Sequence, residues 1–289
     1  MTVRGLTLAV ANTPLVAGGF GAGGFPGAVE LTHAENCRLA DLEVKSVAGQ
    51  GVRAGNLKSC VIEGCHVHDT GACGLKFGGE CLVRNNHVHH VGRIYPSGIA
   101  VWGGGGNGQP CTIERNTIHD TPYTAVACGG EDHRIEHNRI SRAMQVLHDG
   151  AGIYITFCKR VVVRGNFIHD IDDTGGYGAS AYYLDEQAED CLVEGNLSVY
   201  AFDDDRVNPQ QPEPEKTGAP ADAKVGEARR LVRRSGTLAA GIELFKSHVG
   251  RYPNELKELI EEPQEEAAAE KWRGPYVRLS VDELKDAWG

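Results

Sequence analysis

Three groups of side chains in this sequence have the types and spacing that chemistry requires. The first is histidine in pairs: His66 with His68, then His87 with His89, followed by single copies at His119 and His169. Residues two apart on a strand share a face. If the segments stack, His66, His68, His87 and His89 form a square patch with spacings of about 5–7 Å, a candidate metal site through imidazole nitrogen. The second group is Lys76, Trp102, Tyr154, Tyr183 and Asp185. It supplies the aromatic platforms and hydrogen-bonding groups that sugars call for. The third is cysteine, nine copies in all, an odd number that one chain cannot fully pair. No CxxC pair is present, so zinc-site spacing is missing. Each group also has a plainer reading: a repeated imidazole ladder, ordinary solvated surface, and small core side chains.

What must position these residues is a repeat. Cys81-Leu-Val-Arg-Asn-Asn-His-Val-His-His90, Cys111-Thr-Ile-Glu-Arg-Asn-Thr-Ile-His-Asp120, Val161-Val-Val-Arg-Gly-Asn-Phe-Ile-His-Asp170 and Cys191-Leu-Val-Glu-Gly-Asn196 align without gaps. Cys60-Val-Ile-Glu-Gly-Cys-His-Val-His-Asp69 and His133-Arg-Ile-Glu-His-Asn-Arg-Ile140 join them. The period of roughly 21–36 residues is that of a solenoid. Alternating apolar and polar residues rich in β-branched types indicate strands. The expected fold is all-β, a right-handed parallel β-helix of about seven coils in residues 1–202. Asn86, Asn116, Asn138, Asn166 and Asn196 should form a ladder, and Cys37, Cys60, Cys81, Cys111 and Cys191 a core column. A second strand in each coil should turn Val52, Leu75, Ile99, Val126, Ile153 and Tyr182 inward. Arg53, Lys76, Ala100, Ala127, Tyr154 and Tyr183 should then face out. The first coil starts at Met1 without a cap, which implies upstream coils or some cover for that end.

Bulk properties exclude other classes. A net charge of −10 and a pI near 5.6 argue against a nucleic-acid partner. No run of about 18 apolar residues could span a membrane, and the N-terminus lacks the features of an export signal. The Gly103–Gly106 run leads into no GK[ST] sequence, so no cofactor phosphate loop is expected.

Composition changes after Phe202. Residues 203–223 are acidic and proline-rich, a linker. From residue 224 onward Val225, Ala228, Leu231, Leu238, Ile242, Phe245 and Val249 fall at helical spacing, ending at Gly250. Asn254 is placed to cap a short helix over 255–261. Gly250-Arg-Tyr-Pro253, Trp272-Arg-Gly-Pro-Tyr276 and Lys285-Asp-Ala-Trp-Gly289 resemble the periplasmic domain of the type II secretion major pseudopilin. The resemblance implies a small α+β domain over 224–289 with one long helix. The family's hydrophobic N-terminal helix and calcium loop have no counterpart, so a pseudopilus role and a calcium site are not carried over. A packing module, covering the β-helix end or mediating protein contact, is the simpler expectation.

Residues 60–200 resemble β-helix proteins related to glycoside hydrolase family 141. The matching motifs are Gly92-Arg-Ile-Tyr-Pro-Ser-Gly-Ile99, Asp149-Gly-Ala-Gly-Ile-Tyr154, Ile168-His-Asp-Ile171 and Tyr182-Tyr-Leu-Asp-Glu186. That resemblance implies a polysaccharide or oligosaccharide substrate, catalytic carboxylates at Asp149 and Asp185, and His148 beside them among the substrate-binding residues. One carboxyl would donate a proton to the leaving oxygen while the other acts as nucleophile or activates water. Local coils of roughly 28–30 residues leave the two aspartates about six to eight residues out of register. Either a corner between Asp149 and Gly152 closes that gap, or Glu186, Asp172 or Asp173 is the partner. A lyase or uronate epimerase using Lys76, Arg53 or a histidine as base, and a non-catalytic glycan-binding protein, are the alternatives. Both resemblances imply an extracytoplasmic setting, whereas the missing signal and unpaired cysteines fit the cytoplasm.

Overall fold

A computed structural model describes residues 1–104, 109–171, 175–201, 203–207, 237–253 and 256–277. The chain divides into two compact units, Met1–Pro212 and Glu213–Gly289.

The first unit is a right-handed parallel β-solenoid, and every strand pairing in it is parallel. One face is an eight-stranded sheet that includes Glu43–Val47, His66–Thr70, His87–His89, Thr117–His119, Arg139–Ser141 and Phe167–Ile171. The other strands form a fifteen-stranded network. Its columns merge because long strands such as Gln50–Glu63, Leu75–Arg84 and Gly150–Lys159 run around a corner from one column into the next.

Alternation decides which residues make the core. In the eight-stranded sheet Val44, Val67, Val88, Ile118, Ile140 and Ile168 stack in register and are all fully buried. Each such side chain contributes about 1.5–3 kcal/mol through burial. The asparagine column forms as expected. Asn86, Asn116 and Asn138 each donate a side-chain N–H to the side-chain oxygen of the next asparagine, at 3.0, 2.9 and 3.0 Å. The same oxygens accept the backbone N–H of the preceding asparagine, at 2.9–3.0 Å. Just before this ladder the chain turns through the left-handed region at Gly64, Asn85, Arg115, His137, Gly165 and Gly195. A second left-handed corner follows the histidine column at Asp69, His90, Asp120, Arg142 and Asp170. Glycine, asparagine and aspartate tolerate that conformation best, which explains much of the Asn/Gly-Asn and His-Asp spelling of the repeat.

The cysteine column is also present: Cys60 pairs with Cys81 in register, and the flanking strands continue the line through Cys37, Cys111 and Cys191. All nine cysteines are free thiols. His133 occupies the same column one coil after Cys111, 2% exposed.

Two expectations change. Leu75 and Lys76 pair with Val101 and Trp102, so Ile99 and Ala100 are not the register partners expected. The turn Tyr95-Pro-Ser-Gly98, closed by the Gly98 N–H on the Tyr95 carbonyl at 2.8 Å, delays that strand by two residues. Strand pairing also runs past residue 202: Asp203–Val207 lies beside Ala179–Leu184, on ground expected to be linker.

In the second unit the helix Thr237–Val249 is described, whereas residues 225–236 of the expected helix lie outside the described residues. Ile242, Phe245 and Val249 form its buried face. The expected second helix is a 3-10 turn, Leu256–Leu259, with Asn254 and Glu255 outside the described residues. Arg251 of the Gly-Arg-Tyr-Pro motif is anchored by Glu258 at 2.9 Å and Glu265 at 3.1 Å, and Trp272 donates to the Glu258 carbonyl at 2.9 Å. The closing Lys285–Gly289 segment lies outside the described residues.

Candidate functional site

Register assembles a row of outward side chains on the long sheet: Glu30, Arg53, Lys76, Trp102, Ala127, Tyr154 and Tyr183. Adjacent members are one strand spacing apart, about 4.8 Å. The row is more enclosed than its outward direction suggests: Ala127, Tyr154 and Tyr183 are 4%, 9% and 5% exposed.

An N-terminal segment that gave no strand or helix pattern accounts for part of the cover. It carries a short 3-10 turn, Phe20–Ala22, against Trp102, with the Phe20 and Trp102 rings edge to face at 5.7 Å. Gly21 takes a left-handed φ of 58°, and a Cβ there would lie 2.7 Å from the Trp102 ring, so glycine is required for this approach. Lys76 points its ammonium at the Gly23 carbonyl (2.9 Å) and over the Trp102 ring (4.1 Å from the centroid), and burial lowers its pKa. Arg53 faces Glu30 at 3.8 Å.

Two hollows result. One, of about 470 Å³, lies among Glu30, Arg53, Lys76, Phe77 and Trp102. The other, of about 350 Å³, has aromatic walls from Phe20, Trp102, Tyr154 and Phe157. Phe20 and Phe157 are 61% and 58% exposed. Exposed phenylalanines of this kind are what a sugar ring stacks upon.

Asp185 closes this end of the row. It is 8% exposed and accepts a 2.5 Å hydrogen bond from the Tyr154 hydroxyl. Tyr183 stands edge-on to Tyr154, centroids 5.2 Å apart. Burial, and then the bond to Asp185, hold the Tyr154 phenol well above its ordinary pKa, so it remains a donor. Asp149 is placed differently. It is an exposed left-handed residue whose N–H donates to Gly178 at 2.8 Å, and Gly150 pairs with Ala179. Asp185 lies seven residues beyond Gly178 on that neighbouring coil, roughly 20 Å along an extended strand. The two aspartates are therefore not register partners on the paired strands. Tyr123 touches the first of them. Its hydroxyl donates to the Asp149 carbonyl at 2.8 Å, and burial, with the charges of Asp149 and then Asp185, pushes its phenol up to about 12. Of the other candidates, Glu186 is exposed, and its backbone carbonyl accepts from Phe157 at 2.7 Å. His148 is exposed beside Tyr177, ring centroids 6.2 Å apart. Asp172 and Asp173 lie outside the described residues.

Phe20, Phe157 and Tyr123 carry no repeat signature and were missed by sequence reasoning. A bulky aromatic within a glycine-rich stretch, as at Gly18-Gly-Phe-Gly21, was the available signal for the first.

The histidine patch is on the other sheet. His66, His87 and His89 bring one ring nitrogen each within 4.8 Å of one another, as do His89, His90 and His119, while a Glu43 carboxylate oxygen converges in the same way with nitrogens of His66 and His68. His66 Nε2 lies 2.8 Å from His89 Nε2, and His87 Nε2 lies 2.7 Å from His119 Nε2. Burial, followed by the neighbouring imidazoles, pushes His87 down to about 4 and His89 to about 3. Ser141 interrupts the column, so His169 stands apart from the cluster. Cys111, Cys128 and His133 form a further, fully buried group. There His133 accepts the Cys111 N–H at Nδ1 (2.9 Å) and donates from Nε2 to the Gly129 carbonyl (3.1 Å), which satisfies both ring nitrogens.

Among the described residues no helix is long and apolar enough to cross a membrane. No curated protein matches the chain. A solved structure titled "Glycoside hydrolase" is similar in fold, with a TM-score of 0.50 at 18% identity over 68% of this chain. This chain spans 41% of that structure's length. Residues 97–203 match the family described as right handed beta helix region, and residues 216–289 match type II secretion system protein G.

Proposed function

We propose that the solenoid is a carbohydrate-active unit that lays a polysaccharide along the outward row and hydrolyses a glycosidic bond at its Asp185 end. The observation that carries this reading is the Asp185–Tyr154 pair, which stands beside the hollow walled by Phe20, Trp102 and Phe157. A buried carboxyl next to aromatic platforms is suited to proton transfer at a glycosidic oxygen. Asp185 is the reacting carboxyl in this proposal. Asp149, whose carbonyl accepts from the Tyr123 hydroxyl at 2.8 Å, is the proposed second carboxyl. The fold similarity to a solved glycoside hydrolase is consistent with the proposal. An extracytoplasmic setting belongs to it, because polysaccharides are met there and the C-terminal segment matches a secretion-system family.

The test is reducing-sugar release by the full chain across a panel of polysaccharides, with absorbance of unsaturated products followed in parallel. Hydrolysis lost in Asp185→Asn and strongly reduced in Asp149→Asn is the expected result. Unsaturated products would make it a lyase, and glycan binding without turnover in either assay would make it a binding protein.

A further inference from the structure

We propose that the histidine patch binds a divalent transition-metal ion of the Zn²⁺ class, held by imidazole nitrogens of His66, His87 and His89 with His119 as fourth ligand. The backbone already brings the donors together. His66 and His87 stack with centroids 4.8 Å apart, as do His89 and His119 at 4.7 Å, so two pairs of rings aim across the same small space. The diagonal contacts of 2.8 Å and 2.7 Å between Nε2 atoms each place two lone pairs around a single shared proton. A tetrahedral ion with bonds of about 2.0–2.1 Å needs ligand nitrogens about 3.3 Å apart. Ring rotation provides that, and as the ion enters the proton shared by each pair passes by way of solvent to the Nδ1 of its own ring, so that both imidazoles bind neutral through Nε2.

The surroundings resemble the outer shell of a metal centre more than a self-contained ladder. His119 donates from Nδ1 to Asp120 at 2.6 Å, which makes its Nε2 the acceptor toward His87 and the lone pair it would offer an ion. Asp120 is itself fixed by two bonds from Arg142, at 2.7 and 2.8 Å. Carboxylates that orient a histidine through its far nitrogen are the usual support of an imidazole ligand. His68 repeats the arrangement with Asp69 at 2.8 Å. Its Nε2 is buried without a hydrogen-bond partner, the Glu43 carboxylate being 3.6 Å away. In the asparagine column each side chain satisfies the next; here the repeat leaves acceptor capacity over. Neutral imidazoles select Zn²⁺, Cu²⁺ or Ni²⁺ over Mg²⁺ or Ca²⁺, which require oxygen ligands.

The test uses the full chain, carrying no histidine affinity tag and stripped with a chelator, titrated with Zn²⁺ by calorimetry and with Co²⁺ by visible absorption. The expected result is one saturable ion per chain and a Tm that rises with Zn²⁺. Affinity should fall by at least about 100-fold in His87→Gln/His89→Gln, and by about 10–100-fold in Asp120→Asn. It should be unchanged in Cys111→Ser/Cys128→Ser, with a Co²⁺ spectrum free of thiolate charge transfer. If the double histidine variant fails to fold, His66→Gln alone gives the same readout. No saturable binding by the folded protein overturns the proposal. So does binding that survives the histidine substitutions, or a thiolate spectrum that disappears with the cysteines.

Discussion

The asparagine column and the outward row of the long sheet run through the same coils, yet they follow opposite rules. In the column the residue is the same from Asn86 to Asn196, and each copy uses its side chain to satisfy the next. In the row the residue changes at every step but the last, from Arg53 to Lys76, Trp102, Ala127, Tyr154 and Tyr183. Stacking demands the first pattern and is indifferent to the second, because outward side chains on a parallel sheet need only avoid clashing with their neighbours. Periodic identity therefore reports what holds this solenoid together, and aperiodic identity reports what it does.

The difference can be broken from either side. The largest effect is expected on the row: Asp185→Asn should lower kcat for glycoside hydrolysis by about 10²–10⁴-fold while leaving the urea midpoint nearly unchanged. An equally large loss of stability would mean that Asp185 belongs to the scaffold. Next is the column. Asn138→Ala removes the acceptor for both the backbone and side-chain N–H of Asn116, and leaves these buried donors orphaned. A loss of about 2–4 kcal/mol is expected from equilibrium denaturation followed by far-UV circular dichroism. Smaller still, Phe157→Ala at the mouth of the aromatic hollow should weaken oligosaccharide binding by about 10-fold without changing Tm, as calorimetry and thermal melts would show. Smallest is Lys159→Ala, which removes an exposed, solvent-screened ion pair to Glu189 and should leave the midpoint of the same denaturation assay unchanged.

The same contrast explains which features are legible in the sequence. The ladder, the cysteine column and the paired histidines were legible because each recurs in register, and recurrence places residues side by side without any knowledge of the loops. Ile99 is buried as expected, but it is not the partner of Leu75, because the Tyr95–Gly98 turn adds length before the strand, a variation that a repeat pattern averages away. The offset of the two aspartates, by contrast, followed from coil length. Local coil length sets Asp149 and Asp185 about six to eight residues out of register, and the paired strands place them seven apart. Phe20 and the segment that carries it onto Trp102 were invisible, because that contact is made by residues outside any repeat. His133 was hidden differently: it replaces a cysteine in its column, and a single exception to a repeat looks like drift until its two ring nitrogens are seen to be satisfied.

The most direct test of the account is a structure of the full chain with an oligosaccharide bound. The account places a sugar ring against the aromatic wall of Phe20, Trp102 and Phe157, with a glycosidic oxygen within hydrogen-bonding reach of Asp185. A glycan found instead on the histidine-bearing sheet, or along coils remote from Tyr154, would contradict it.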